Sequence, residues 1–226
     1  MRCMAGWWAQ VGPLARWLVL VSAFGAAMPV SALAADAALN QQLLAAARSG
    51  DEVALQAALD AGAVVDSRNR IGDTPLITAC KNGKAGMVQT LIAHGANVRQ
   101  ADVSGVTPLM AAAYGGYDEL VVLLLAHGAD PAATDRVGKT AMEYAAGEGH
   151  TAVVQRLLDA GVDVNRIYKN DLTALMWAAG YDHPDTVKLL LARGADPALR
   201  DNRGMTASDI AAQTGSAHAA TLLSAH

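Results

Sequence analysis

Gly72-Asp73-Thr74-Pro75-Leu76 and Gly105-Val106-Thr107-Pro108-Leu109 stand 33 residues apart, and their recurrence decides the fold. Each is built to start a helix. The threonine hydroxyl can cap free N–H groups, and proline fits the first turn, where its missing N–H costs nothing. The threonine returns at Thr140, Thr173 and Thr206 with the same step. A second ladder runs Gly62, Gly95, Gly128, Gly161 and Gly194. A third runs Gly50, Gly83, Gly116, Gly149 and Gly215, with Asp182 alone replacing glycine. Three ladders on one period describe a stack of like units rather than a single globular core.

Within a unit, a short helix such as Ile77-Thr78-Ala79-Cys80-Lys81-Asn82 ends at the third-ladder glycine. A second helix follows, with apolar residues at helical spacing: Met87, Val88, Leu91 and Ile92, then Leu120, Val121, Leu124 and Leu125 one period on. His94-Gly95-Ala96 closes it, the glycine supplying a left-handed turn. A polar stretch then leads to the next Gly-x-Thr and is expected to form a β-hairpin finger. Alanine and leucine dominate and aromatics are only 4% of residues, which suits closely packed helices better than a substrate cavity.

These residues resemble the ankyrin repeat family, whose pattern is Gly-x-Thr-Pro-Leu-His-x-Ala-Ala, Gly-His, Val-Val, Leu-Leu and Gly-Ala. The resemblance implies an all-α solenoid of stacked helix-turn-helix repeats with β-hairpin fingers. A degenerate N-cap repeat covers about 40–66, and repeats follow at about 70–99, 103–132, 136–165 and 169–198. A C-cap repeat covers 202–226. Terminal units exposing one face to water should be atypical, as both are. Two departures stand out. The family histidine after Thr-Pro-Leu is replaced by Ile77, Met110, Glu143, Met176 and Asp209, and proline gives way to Ala141, Ala174 and Ala207. The first implies a stack held more by apolar contact, and both imply lower local stability toward the C-terminal half.

Residues 1–34 belong to a different regime. Arg2 and Arg16 are their only charges, Trp17 to Val30 is apolar, and the run ends Ser31-Ala32-Leu33-Ala34. A basic start, an apolar run and an Ala-x-Ala end make a signal peptide cut after Ala34, leaving 35–226 as the repeat domain of a periplasmic or secreted protein. The alternative of a membrane anchor is opposed by the short run, its break at Pro29 and the lack of a basic stop. The cleaved chain is therefore expected to leave the membrane. It keeps 15 basic against 21 acidic residues, a formal charge of −6, which with no basic run argues against nucleic-acid binding. Only Cys80 remains, in a slot that is otherwise alanine, so it should be an inert buried thiol rather than half of a disulfide.

No nucleophile elbow, phosphate loop or His-Glu-x-x-His pair is present, so no catalytic residue, metal or cofactor is expected. His94 and His127 sit at helix C-termini, where partial positive charge is favoured. The family resemblance implies a partner protein held by the hairpin fingers and the concave face of the first helices. After cleavage Trp177 is the only tryptophan, and all five tyrosines fall between 114 and 181. Tyr114 and Tyr181 occupy variable concave slots, while Ile167 and Tyr168 stand in a finger where the other units carry Asn69, Asp102, Asp135 or Asp201. Aromatics that the core does not require are expected to be binding anchors. Trp177 shares its slot with Tyr144 and is equally suited to packing and to contact.

The fingers also carry Arg68, Arg70, Arg99, Arg136, Lys139, Arg166, Lys169, Arg200 and Arg203 against six aspartates, a balance of +3. They either steer an acidic patch of a partner to this rim or pair with the aspartates to stitch fingers together. The leading expectation is a monomeric, non-enzymatic client-binding module. Alternatives are an immunity-type inhibitor of a toxin or enzyme in the same compartment, and an exported effector.

Overall fold

The computed structural model describes residues 30–224, with side chains from Asp36 onward. Residues 1–29 of the expected signal segment lie outside the described residues, as do the side chains around its cleavage site, while the backbone of 30–34 opens the first helix. Among the described residues twelve α-helices follow one another: α1 (Val30–Ser49), α2 (Glu52–Asp60), α3 (Pro75–Lys81), α4 (Ala85–Ala93), α5 (Pro108–Tyr114), α6 (Asp118–Ala126), α7 (Ala141–Gly147), α8 (Thr151–Asp159), α9 (Ala174–Gly180), α10 (Pro184–Ala192), α11 (Ala207–Thr214) and α12 (Ala217–Leu223). The first helices α3, α5, α7, α9 and α11 pack each on the next, and the second helices α2 to α12 do the same in a parallel row. Among the described residues no helix is long and apolar enough to cross a membrane.

Capping starts each first helix. Thr74, Thr107, Thr173 and Thr206 accept at Oγ1 from the N–H three residues on, at 3.2 to 3.3 Å. Where proline is missing, a carboxylate compensates twice. Glu143 accepts from Thr140 N–H at 2.8 Å, and Asp209 accepts from Thr206 N–H at 2.9 Å. Each such bond satisfies one more orphan donor of the first turn. The alanines Ala79, Ala112, Ala145 and Ala178 are fully buried and let neighbouring helices approach closely. Leu76, Leu109, Met142 and Leu175 fill the space beside them. Cys80 is completely buried, and burial pushes its thiol well above the ordinary range, which keeps it from forming a thiolate.

Imidazoles do tie repeats together, from the position after the third-ladder residue rather than from the one after Thr-Pro-Leu. His150 and His183 reach across to the Tyr114 and Gly147 carbonyls of the preceding unit, both at 2.8 Å. Their rings lie over Gly116 and Gly149, where an added Cβ would come within 2.6 and 2.5 Å of the imidazole. Both glycines therefore serve as flat seats as well as left-handed turns. His94 and His127 turn back on their own helices, each with Nδ1 at 2.8 Å from the carbonyl four residues earlier.

The fingers are not β-hairpins. The described residues contain no strands, and the reason is local. Asp102, Asp135 and Asp201 each use Oδ1 to accept the N–H groups two and four residues on, at 2.8 to 2.9 Å. Asn69 does the same at 3.0 Å. A side chain thus takes the place of a partner strand's carbonyl, a short Asx-type closure. Successive fingers exchange at most one backbone bond, as from Arg136 N–H to the Ser104 carbonyl at 2.9 Å, too little for a ladder.

Candidate functional site

The first slot of every finger points inward, and this corrects the expectation for Tyr168. Where its counterparts turn a carboxylate or amide under the finger, Tyr168 turns a ring, leaving only 9% of the residue exposed. It packs in the core and is not an exposed anchor. Its hydroxyl is buried without a hydrogen-bond partner, and burial pushes the phenol up to about 12. The Arg166 guanidinium lies 5.6 Å from its ring centre. With no side-chain acceptor to close it, this finger takes another path. Asn170 and Asp171 both adopt left-handed backbone, at φ 62° and 58°, a conformation that short polar side chains tolerate best after glycine. Ile167 stays 58% exposed at its edge. Lys169 donates from Nζ to the Val137 carbonyl at 3.1 Å, tying this finger to the one before.

The other sequence-nominated aromatics do come together, on the inner face made by the first helices and fingers. Tyr114 and Tyr181 are 56% and 60% exposed at the ends of α5 and α9. Tyr144 meets Tyr114 edge-on at 5.9 Å, and Trp177 stacks on Tyr181 at 6.1 Å with the rings 4° from parallel. Lys139 joins the two pairs, its ammonium 4.2 Å from the Trp177 ring centre and 5.4 Å from that of Tyr144. The result is a row running Tyr114, Tyr144, Lys139, Trp177, Tyr181. Trp177 therefore both packs and faces the surface, half-buried as its slot predicts. The joining role of Lys139 is absent from the sequence reading, because it depends on a finger of one unit reaching over a helix of the next.

Beneath the row lies a buried polar cluster. Glu143 is 2% exposed, and burial raises its carboxyl above the ordinary range despite the opposing Thr140 N–H bond. Thr140 Oγ1 and Trp177 Nε1 lie buried beside it without a hydrogen-bond partner. Tyr144 donates to Asp135 Oδ2 at 2.5 Å, and burial together with that bond raises the phenol. Aspartate Oδ1 and Oδ2 thus join the finger to the aromatic row.

The row is flanked by two clefts. One of about 340 Å³ is lined by Lys81, Val106, Met110, Ala111, Tyr114 and Tyr144. The other, of about 300 Å³, includes Met176, Trp177, Tyr181, Arg203, Ile210 and Thr214. A third, of about 520 Å³, lies at the N-terminal end against Arg48, Arg68, Arg70 and the exposed Ile71.

Most finger cations have no carboxylate partner. Arg203 pairs with Asp201 and Arg200 reaches Asp209 at 4.0 Å, while Lys81, at the end of α3, pairs with Asp73 and Asp102. Among the described residues, Arg68, Arg70, Arg99, Arg136, Lys139, Arg166 and Lys169 have no carboxylate within 4.0 Å. Stitching by Arg–Asp pairs therefore does not account for the basic rim. Asp102, Asp135 and Asp201 instead spend Oδ1 on the N–H groups of their own fingers.

A stack of helix pairs with Asx-closed fingers defines a repeat protein of the ankyrin type. The sequence profile described as Ankyrin repeats (3 copies) matches residues 43–135 and 142–226, and the chain belongs to the ankyrin repeat family. Repeats of this family generally mediate protein–protein interaction. No curated protein matches the chain.

Proposed function

We propose that the chain is an exported, monomeric, non-enzymatic binding module that holds a client protein on its inner face, in the periplasm or outside the cell. The observation that carries this reading is the aromatic row. Tyr114 and Tyr181 expose large rings that the core does not need, beside two clefts and an unpaired lysine. Rigid aromatics flanked by pockets are the features that concentrate binding energy at protein interfaces. The unpaired cations Arg68, Arg70 and Arg136 make the finger rim suited to an acidic surface on the partner, accelerating encounter and setting orientation. Export rests on the basic start, apolar run and Ala-x-Ala end of residues 1–34.

Affinity capture from a periplasmic extract tests the reading, using wild type beside a Tyr114→Ala/Tyr181→Ala variant. A protein retained by wild type and lost by the variant supports it. Equal retention by both removes the inner face from the account. Export is tested separately by sequencing the N-terminus of the fractionated protein, which should begin at Ala35. A product beginning at Met1 in the cytoplasmic fraction refutes it.

A further inference from the structure

We propose that the inner face receives a polyproline-II segment of its partner, with two large apolar side chains six residues apart and an acidic residue midway. The proposal deepens the client-binding reading and rests on it. It comes from three features in one line: two apolar clefts and a cation between them.

The clefts occupy equivalent places two units apart, since Met110 in one and Met176 in the other fill the same slot. Packed helices lie about 10 Å apart, so two units separate the clefts by roughly 20 Å. A polyproline-II chain rises about 3.1 Å per residue with three residues per turn, or about 9 Å per turn. One turn of such a chain therefore advances about one ankyrin unit. Residues i, i+3 and i+6 fall on one face and span about 19 Å, which matches cleft, centre and cleft. A β-strand fits less well, because its side chains alternate and residue i+3 would point away from the groove.

The centre is Lys139. Its ammonium lies over the faces of Trp177 and Tyr144 and makes no hydrogen bond or ion pair to any described residue. Three donors on a half-buried, aromatic-walled ammonium call for an anionic acceptor, and a carboxylate at i+3 supplies it. Lys81 and Arg203, each lining one cleft, are already neutralised by Asp73 and Asp201, so the ends of the groove favour apolar side chains. Tyr114 and Tyr181, both exposed, carry hydroxyls that can donate to the solvated carbonyls of such a chain.

The test is selection of a random twelve-residue linear peptide library on the full chain. Binders should converge on two large apolar residues six apart with Asp or Glu midway. Lys139→Met should cost the selected peptides at least tenfold in affinity and abolish their preference for the central acid. Tyr181→Ala should weaken them without changing that preference. Lys139→Met leaves the Asx closures intact, and its helical circular dichroism should match wild type. A different spacing, an acid preference that survives Lys139→Met, or no enrichment at all overturns the proposal. A client that still depends on Tyr114 and Tyr181 after such a failure would leave the inner-face reading standing. Convergent peptides beside a client indifferent to both tyrosines would refute that reading alone.

Discussion

Replacing Asp135 tests whether one aspartate holds a finger to the aromatic row. Asp135 is 8% exposed and makes three hydrogen bonds: Oδ1 to the Val137 and Lys139 N–H groups, both at 2.9 Å, and Oδ2 to the Tyr144 hydroxyl at 2.5 Å. A bond to an ionised acceptor contributes about 1.5–3 kcal/mol net. Three at the low end give roughly 4.5 kcal/mol, and water reaching the freed finger groups returns part of it, so Asp135→Ala should cost about 3 kcal/mol. Asp135→Asn should cost about 1 kcal/mol, because an amide oxygen closes the finger equally well, as Asn69 does at 3.0 Å. Urea unfolding of protein lacking residues 1–34 measures both, with helical circular dichroism for the whole stack. Trp177, then the only tryptophan, gives fluorescence for the units around it. The asparagine variant proving as costly as the alanine variant would refute the closure argument. So would an alanine variant losing less than 1 kcal/mol.

Three further outcomes follow from the packing. Gly149→Ala places a Cβ 2.5 Å from His183 Nδ1 at a φ of +74°, so it should cost about 2 kcal/mol and lower Tm by about 5 °C; an unchanged Tm contradicts the seat assigned to this glycine. Glu143, raised by burial, binds its proton more tightly folded than unfolded, so wild-type stability should fall as pH rises from the ordinary value near 4.5 through the raised one. Glu143→Gln should flatten that slope and gain on wild type as pH increases, and parallel urea titrations would contradict it. Cys80 should resist a thiol reagent in native protein and react fully in urea; rapid native labelling would contradict its burial.

The repeat architecture was legible because the Gly-x-Thr motifs and the closing glycines are local signals, each tied to a cap or a left-handed turn. Tyr114 and Tyr181 were legible for a different reason: the core is made of alanine and leucine, so spare aromatics stand out. Tyr168 lies inside because the direction of its slot, rather than its residue type, decides its exposure. Asp102, Asp135 and Asp201 carry that information, since an aspartate preceding two finger N–H groups must turn inward to accept them. Lys139 and the imidazole links of His150 and His183 were not legible, because each is made between units whose relative placement the chain order alone does not give.

The most direct measurement is hydrogen exchange of the captured client complex against the free protein. The account predicts slowed exchange in α5, α7 and α9 and in the finger at 135–139, with the outer helices α4, α6, α8 and α10 unchanged. Protection confined to those outer helices would contradict the inner aromatic row as the contact surface.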